Sequence, residues 1–415
     1  MLYDLIILGG GASGIFAAIN AKLTYPTANI LLLEKNAVLL TKVRISGGGR
    51  CNVTHACFEP KQLIKNYPRG EKELLGPFHV FGPADTIKWF ASKGVLFKTE
   101  ADGRIFPQTD QSETIIQTLL QEAHKLSVII KLTEHVEIIE NKTSNFTIYT
   151  KKKEIYQTTN LLLATGSNSQ GYRWAEQLGH TIQKPVPSLF TFNVPSSSLK
   201  DLSGVSIPSV RLQILGTKLI QEGAILITHF GFSGPAILKL SAWGSKYLHE
   251  QNYQTQLMIN WVTLSKEEVF AKLQEAKTRF PHKTLLQENL FDLPKNLWKA
   301  FLEILDISYK QLFTEISLQH LKNLAQKLTK DCYQIEGKTL HKQEFVTCGG
   351  VTLKEVNFKT MQSKICSRLF FAGEILDIDG ITGGFNFQNA WTTGYIAGKS
   401  SLQAASSKEL ISDSS

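Results

Sequence analysis

The sequence contains little cysteine and lacks the marks of a secreted or membrane protein. Its 415 residues include Cys 5 times, with no C-x-x-C pair and no Cys/His cluster at zinc-ligand spacing. The odd cysteine count argues further against a disulfide framework. No apolar run approaches the roughly 18–20 residues that span a bilayer, and the N-terminus lacks a basic region and a cleavage site. We therefore expect a cytoplasmic protein with no metal site and no membrane association.

Positive charge is in excess but is not concentrated. The chain has 45 Lys+Arg against 36 Asp+Glu, a formal net charge of +9, and its longest basic tract is the short run 151–153. Such a balance admits an anionic partner, whether a nucleotide, an acidic metabolite or nucleic acid. The dispersed lysines and the absence of an RNA-binding module signature argue against nucleic acid. Most of the excess is expected to be solubilising surface charge.

The chain begins with a βαβ pattern. At about 100–200 residues per domain, its length predicts two or three domains. An apolar strand over 3–8 ends in a glycine turn, an Ala-rich helical stretch follows, and 30–33 forms a second buried strand that ends at Glu34. Further strands are predicted between 128 and 163, then proline-punctuated β-like runs to Trp261 and helices over 265–330.

Capping-box spacing predicts two helix starts, and the C-terminal region predicts a final helix. The two boxes are Asp110 with Glu113 and Ser265 with Glu268. The last helix is predicted near 390–401, followed by a tail from 400 that is expected to fray.

The glycine turn has the pattern Gly9-x-Gly11-x-x-Gly14, which indicates a dinucleotide site in this context. Gly9 permits the tight turn, Gly11 lets the backbone approach a pyrophosphate, and Gly14 allows close packing of helix on strand. The helix N-terminus supplies amide donors and a positive dipole for the anion. Glu34 lies 20 residues beyond Gly14 at the end of the next strand and can accept hydrogen bonds from ribose hydroxyls.

A second glycine-rich segment near the C-terminus favours FAD over NAD. An apolar strand at 370–371 precedes Gly373-Glu374, followed by Asp377 and by Gly383-Gly384 at a helix start. The acids can bond ribityl hydroxyls, and the helix start can face the pyrophosphate or the flavin O2 edge. A second GxGxxG, which a separate NAD(P)H domain would need, is absent.

Five segments together make the sequence resemble one family, the bacterial NAD(P)/FAD-dependent oxidoreductases of aminoacetone-oxidase type, which include a bile-acid-intermediate reductase. These segments are ISGGGRCNVT (45–54), GRIFP (103–107), THFGFSGP (228–235), VTCGGV (346–351) and the stretch from Ala372 to Gly394. The resemblance implies an α/β fold in which a discontinuous FAD-binding Rossmann-like domain is interrupted by an inserted β-barrel-like domain that carries a helical subdomain. The expected boundaries are 1–190 and 346–400 for the FAD domain, 191–262 and 331–345 for the inserted β domain, 263–330 for the helical insertion, and 401–415 for a flexible tail.

The resemblance also implies a set of FAD-contacting positions, with Val136 as a backbone contact to adenine. The set is Gly9, Gly11, Ala12, Ser13, Gly14, Glu34, Lys35, Ser46, Gly48, Gly49, Arg50, Cys51, Asn52, Val136, Thr165, Gly166, Gly373, Glu374, Asp377, Gly384, Phe385 and Asn386. The chain departs from the family after Gly166, where the usual longer loop is reduced to Ser167–Gln170. The shorter loop bears on substrate access.

Four residues have competing interpretations. Cys51 and Cys57 faintly resemble a redox disulfide, but their C-x5-C spacing favours Cys51 as a small packed residue. Arg50 either contacts phosphate or clamps its loop, and its glycine-rich surroundings favour the anion. His229 either donates a proton on the substrate side or satisfies loop carbonyls. The catalytic residue is therefore left open.

The sequence thus predicts an FAD-dependent oxidoreductase acting on a small molecule by flavin-mediated hydride transfer. It leaves open whether NAD(P)H, as a transient reductant, or O2 is the second partner, and it fixes neither the substrate nor the oligomeric state. The alternative is an FAD-containing RNA-binding or tRNA-modifying protein, prompted by the +9 charge.

Overall fold

The computed structural model describes residues 2–339 and 346–403; the predicted tail lies outside this range beyond 403. The strands of the described residues are β1 (Leu2–Leu8), β2 (Ile30–Leu33), β3 (Thr54–His55), β4 (Phe97–Thr99), β5 (Arg104–Pro107), β6 (Ile129–Lys131), β7 (Val136–Asn141), β8 (Phe146–Thr150), β9 (Ile155–Leu163), β10 (Ile182–Ser188), β11 (Thr191–Asn193), β12 (Ser206–Ile214), β13 (Ile220–Thr228), β14 (Gly231–Ser233), β15 (Gln254–Asn260), β16 (Asp331–Glu336), β17 (Lys338–Thr339), β18 (Val346–Val351), β19 (Val356–Asn357), β20 (Gln362–Ser363) and β21 (Leu369–Phe371). The α-helices are α1 (Ala12–Thr24), α2 (Thr41–Gly49), α3 (Pro60–Leu63), α4 (Glu71–Val80), α5 (Pro83–Ala91), α6 (Ser112–Lys125), α7 (Ser169–Gln177), α8 (Pro235–Trp243), α9 (Ser245–Glu250), α10 (Lys266–Arg279), α11 (Lys295–Ile304), α12 (Leu318–Thr329) and α13 (Phe385–Ser400).

The chain forms two compact units. The first combines 1–187 with 342–415, and the second is 188–341. The domain boundaries expected from the sequence remain predictions.

A nine-stranded sheet is the centre of the first unit. Its main path runs β19-β20-β21-β9-β1-β2-β6, with β8 pairing with both β7 and β9. β1 pairs in parallel with β2 and β9, and β21 with β9. Leu5, Ile6 and Ile7 are fully buried, as expected for a central parallel strand covered on both faces. The carboxyl ends of these parallel strands therefore lie along one edge of the sheet.

The two ends of the chain pack together through helices α1 and α13. A Cβ added at Gly394 would lie 2.6 Å from the Ser13 carbonyl oxygen, and one at Gly398 would lie 2.4 Å from the Ala17 carbonyl oxygen. Such backbone contact requires glycine on α13. No local sequence pattern indicates a role for these two glycines.

In the second unit a seven-stranded sheet packs with helices. The strand order is β16-β15-β12-β13-β14-β11-β17. The strands and helices α10, α11 and α12 contribute to a single buried cluster that includes Trp261, Trp298 and Phe301. The helical segment therefore shares its core with the β-strands of this unit.

Of the two predicted capping boxes, one is confirmed and one is wrong. Ser265 caps α10, because its hydroxyl accepts from Glu268 N at 3.2 Å and the Glu268 carboxylate accepts from Ser265 N at 2.7 Å. α6 instead has Gln111 at its N-cap and no side-chain cap, since the Asp110 carboxylate pairs with Lys98 and Arg50. α13 begins at Phe385, directly after Gly384 in the left-handed region, which confirms the helix start predicted at Gly383-Gly384. The helix therefore extends further toward the N-terminus than the predicted span of 390–401.

Candidate functional site

The glycine turn between β1 and α1 leaves room for a ligand at one position only. A Cβ at Gly9 would lie 2.4 Å from the Ala164 carbonyl oxygen, and one at Gly14 would lie 2.0 Å from that of Gly9. At Gly11 a Cβ would meet no protein atom within 4 Å. Gly9 and Gly14 are thus required by packing, whereas Gly11 faces open space at the N-terminus of α1. Ala12 and Ser13 belong to the first turn, whose amides have no partner within the helix. This arrangement fits a pyrophosphate.

Glu34, at the carboxyl end of β2, ties the turn to the strand. Its Oε2 accepts from Gly10 N at 2.7 Å and its Oε1 accepts from Asn36 N at 2.8 Å. A carboxylate oxygen can accept more than one hydrogen bond, so ribose hydroxyls remain possible partners. Lys35 is exposed beside it, and Val136 begins β7 opposite Thr150. Their contact with a cofactor remains a prediction.

The second glycine-rich segment contacts the first directly. Ser13 Oγ donates to the Ala372 carbonyl oxygen at 3.3 Å, although 359 residues separate them. Gly373 has φ +76°, and a Cβ there would lie 2.5 Å from Ser13 Oγ. Its N–H donates to Thr393 Oγ1 at 2.9 Å. The motifs at both ends of the chain are therefore in direct contact.

Glu374 and Asp377 face the strand β18. Glu374 accepts from Thr347 N at 3.0 Å and forms an ion pair with Lys42. Asp377 Oδ1 accepts from Gly349 N at 2.9 Å. A Cβ at Gly166 would lie 3.7 Å from Glu374 Oε2, so the predicted positions after β9 and β21 meet.

Two buried hydroxyls border this part of the site. Thr165 Oγ1 and the Tyr172 hydroxyl are buried with no hydrogen-bond partner in residues 2–339 and 346–403. Orphaned buried hydroxyls next to an open glycine turn fit a polar ligand such as FAD.

The segment 46–52 adopts an irregular backbone. Ser46 leaves the helical conformation, and Gly47, Gly48 and Gly49 have φ of +58°, +69° and +83°. A Cβ at Gly48 or Gly49 would meet no atom within 4 Å. Successive amides in such a left-handed run can face one ligand.

The Arg50 guanidinium already pairs with carboxylates of the protein. Its guanidinium bonds Glu100 at 2.9 Å, lies 3.6 Å from Asp110 and sits 4.0 Å from the centre of the Phe106 ring. These contacts favour the loop-clamp interpretation over the phosphate contact, because a phosphate would compete with two carboxylates.

Cys51 is a packed residue with an unreactive thiol. It is fully buried, and burial raises its pKa to about 12 despite a hydrogen bond with Ser46. Burial also raises the pKa of Cys57, and both cysteines are free. Since the thiolate is the nucleophile, neither is poised for disulfide chemistry at neutral pH.

The start of α13 is held by side-chain contacts from the segment 52–55 and from its own Asn386. Gly384 N donates to Asn52 Oδ1 at 2.9 Å, and Phe385 stacks on His55 with ring centres 4.7 Å apart. The Asn386 amide bonds the N–H and carbonyl of Gly380, both at 2.8 Å. Any cofactor contact by Phe385 or Asn386 is therefore expected from the backbone amides.

His229 lies in the second unit, at an exposed two-residue turn between β13 and β14. Its role as a proton donor remains a prediction. Among the described residues, no group of three or more potential ligands could hold a metal ion, and no helix is long and apolar enough to cross a bilayer.

Two buried polar groups were missed by the sequence analysis. Asp379 is fully buried and forms a two-pronged ion pair with Arg69. His180 contacts Glu355 at 3.2 Å and Ser363 at 2.9 Å. The partners are 310 and more than 170 residues apart in sequence, so no local pattern indicates them.

Sequence comparison finds full-length relatives. The chain is 28% identical over 408 residues to a 3-dehydro-bile acid delta(4,6)-reductase of Clostridium scindens, covering 96% of this chain and 98% of that protein. It is 30% identical over 403 residues to a ribosomal RNA dihydrouridine synthase of Haemophilus influenzae, covering 94% and 96%.

Structural comparison shows the same fold in a solved enzyme. The 3-ketosteroid-delta4-(5alpha)-dehydrogenase of Rhodococcus jostii matches with a TM-score of 0.52 at 14% identity, over 97% of each chain. This likeness concerns the fold alone.

These findings confirm the predicted α/β fold class and the resemblance to a family with a Rossmann domain, and the relatives of the chain include a reductase. The HI0933-like protein Rossmann domain model matches residues 3–400. The chain therefore belongs to the HI0933-like family.

Proposed function

We propose that this protein is an FAD-dependent reductase of a carbon–carbon double bond conjugated to a carbonyl group. The observation that carries the proposal is the contact of the two glycine motifs, Ser13 with Ala372 and Gly373. It creates one site from both ends of the chain, at the sheet edge where α/β folds bind dinucleotides.

The residues present fit FAD at both halves of this edge. The open turn at Gly11 and the amides of α1 suit the pyrophosphate, and Glu34 suits the adenosine ribose. Glu374 and Asp377 lie beyond the pyrophosphate position, where their carboxylates suit the ribityl hydroxyls. When bound, FAD supplies the hydride, and the protein supplies orientation and electrostatics.

The reactions for which the two relatives are named reduce the same kind of double bond. A delta(4,6)-reductase acting on a 3-oxo steroid saturates a double bond conjugated to a ketone. A dihydrouridine synthase saturates the C5=C6 bond of uracil, which is conjugated to the C4 carbonyl. For the uracil bond, and for a double bond next to the ketone, a hydride adds to the carbon β to the carbonyl and a proton adds to the α carbon. For the more distant bond of a 4,6-dien-3-one, the hydride adds to the δ carbon at the far end of the conjugated system. NADH or NADPH, oxidised to NAD(P)+, would restore the two electrons.

Two substrate classes are consistent with this chemistry. The first is a small conjugated enone. The second is uridine in RNA, favoured by the similarity to the H. influenzae protein over 94% of this chain and by the net charge of +9, which suits a phosphate backbone. The RNA candidate revives the alternative that the sequence analysis ranked second.

An anaerobic half-reaction experiment tests the proposal. The FAD-loaded protein is titrated with NADH or NADPH until the flavin absorbance bleaches, and then receives a 4-en-3-one steroid or a uridine-containing ribosomal RNA transcript. We expect reoxidation by one of the two, with a product heavier by two hydrogen atoms in mass spectrometry. A flavin that neither substrate reoxidises, while O2 does, would contradict the reductase assignment.

A further inference from the structure

Tyr172 has a buried hydroxyl group that the fold does not use. The residue is 6% exposed on α7, and its hydroxyl oxygen has no hydrogen-bond partner within the described ranges. Burying a hydroxyl without a partner is unfavourable, and phenylalanine would fill the same space without that cost. A tyrosine here indicates a partner supplied by a ligand.

The surroundings of this hydroxyl define the chemistry of that ligand. Burial, followed by the charges of Glu374, Asp377 and Cys348, raises the pKa of Tyr172 far above its ordinary value. The phenol is therefore a neutral donor at any physiological pH. Phosphate oxygens are disfavoured next to two carboxylates, whereas a hydroxyl can accept from the phenol and donate to a carboxylate.

Strand order indicates which part of FAD reaches this position. β2, β1, β9 and β21 are adjacent parallel strands, about 4.8 Å apart from one to the next. Glu34 follows β2, the pyrophosphate turn follows β1, and Thr165 and Gly373 follow β9 and β21. With the adenosine ribose at β2, the group on the opposite side of the pyrophosphate is the ribityl chain.

We propose that Tyr172 is a positioning residue that donates its phenol hydrogen bond to a ribityl hydroxyl of FAD. The assignment rests on the proposed function. Thr165, whose buried hydroxyl also lacks a partner in the described structure, packs against the residue before Tyr172, because a Cβ at Gly171 would lie 1.9 Å from Thr165 Oγ1. Tyr172 thereby helps to fix the flavin half of the cofactor, and it takes no part in the chemistry.

Binding measurements on Tyr172→Phe test this role. We expect an apoprotein that melts at the wild-type temperature or above, because the unsatisfied hydroxyl is gone. The Kd for FAD and for riboflavin should rise by about tenfold, the loss of one hydrogen bond. The Kd for ADP-ribose should stay unchanged. Tyr149→Phe is the matched control, since the Tyr149 hydroxyl is exposed and bonds Glu140 at 3.1 Å.

The outcomes separate this inference from the proposed function. Unchanged FAD and riboflavin affinities in Tyr172→Phe overturn the inference while leaving the FAD site intact. Weaker ADP-ribose binding with unchanged riboflavin binding also overturns it, because the phenol would then serve the adenosine half. If the wild-type protein binds neither FAD nor riboflavin, the proposed function itself fails. Thr165→Val provides a second variant should Tyr172→Phe lower the yield of folded protein; a normal riboflavin affinity there would count against the site.

Discussion

The substitution Gly11→Ala should have opposite effects on the stability of the apoprotein and on its affinity for FAD. Gly11 has φ −84° and ψ −171°, which alanine adopts without strain, and its Cβ would meet no protein atom within 4 Å. In the apoprotein we expect stabilisation by about 0.4–1 kcal/mol, because alanine lowers the entropy of the unfolded chain. In the complex the new methyl group occupies the space assigned to the pyrophosphate.

The expected loss of FAD affinity follows from the backbone hydrogen bonds that the new methyl group would displace. A hydrogen bond from a backbone amide to a charged phosphate contributes about 1.5–3 kcal/mol, so displacing one raises the Kd for FAD about 10- to 150-fold. Calorimetric titration of the apoprotein and its thermal melting measure the two effects independently. Gly76→Ala is the control, because Gly76 is exposed on a helix and a Cβ there would also meet no protein atom within 4 Å. Since Pro77 follows Gly76, the free energy of unfolding of this variant should change by less than about 1 kcal/mol. An unchanged FAD affinity in Gly11→Ala would refute the placement of the pyrophosphate.

Three further predictions concern packing and charge in the first unit. Gly14→Ala should destabilise the apoprotein, since its Cβ would lie 2.0 Å from the Gly9 carbonyl oxygen, and an unchanged melting temperature would contradict the turn geometry. Asp379→Asn should cost about 3–5 kcal/mol in urea unfolding because it leaves the largely buried guanidinium of Arg69, 12% exposed, beside a neutral partner. Glu140→Gln is the control and removes an exposed ion pair with Lys142 at 3.4 Å, so it should lower the free energy of unfolding by less than about 1 kcal/mol. If Glu140→Gln and Asp379→Asn lowered the free energy of unfolding equally, the result would be inconsistent with the burial of Asp379. Burial lowers the pKa of His180 more than Glu355 raises it, so below a pH of about 6.5 the unfolded state takes up a proton that the folded state resists. The free energy of unfolding should therefore decrease as the pH is lowered below about 6.5, by up to about 1.4 kcal/mol per pH unit. His180→Gln should reduce this dependence, which would be absent if His180 were charged in the fold.

Local patterns predicted the parts of the site that depend on neighbours in sequence. The strand, glycine turn and helix at 3–24 follow from periodicity and from the conformational freedom of glycine. The Ser265 box is confirmed because both of its hydrogen bonds are local. The Asp110 box fails because two cations reach the same carboxylate from outside the helix.

Long-range contacts account for what the sequence did not reveal. Gly394 and Gly398 matter only because α13 packs on α1 from the other end of the chain. Arg50 was assigned an anion from its glycine neighbours, whereas Glu100 and Asp110 arrive from a different part of the chain. The orphaned hydroxyl of Tyr172 is visible only once its full surroundings are known.

The identity and stoichiometry of the bound chromophore test the central claim most directly. We predict that heat-released chromophore from the purified protein, identified by liquid chromatography and mass spectrometry, is FAD in an equimolar ratio to the chain. Gly373→Ala, whose Cβ would lie 2.5 Å from Ser13 Oγ, should retain far less. FMN in place of FAD, or full FAD occupancy in Gly373→Ala, would contradict a single dinucleotide site built from both ends of the chain.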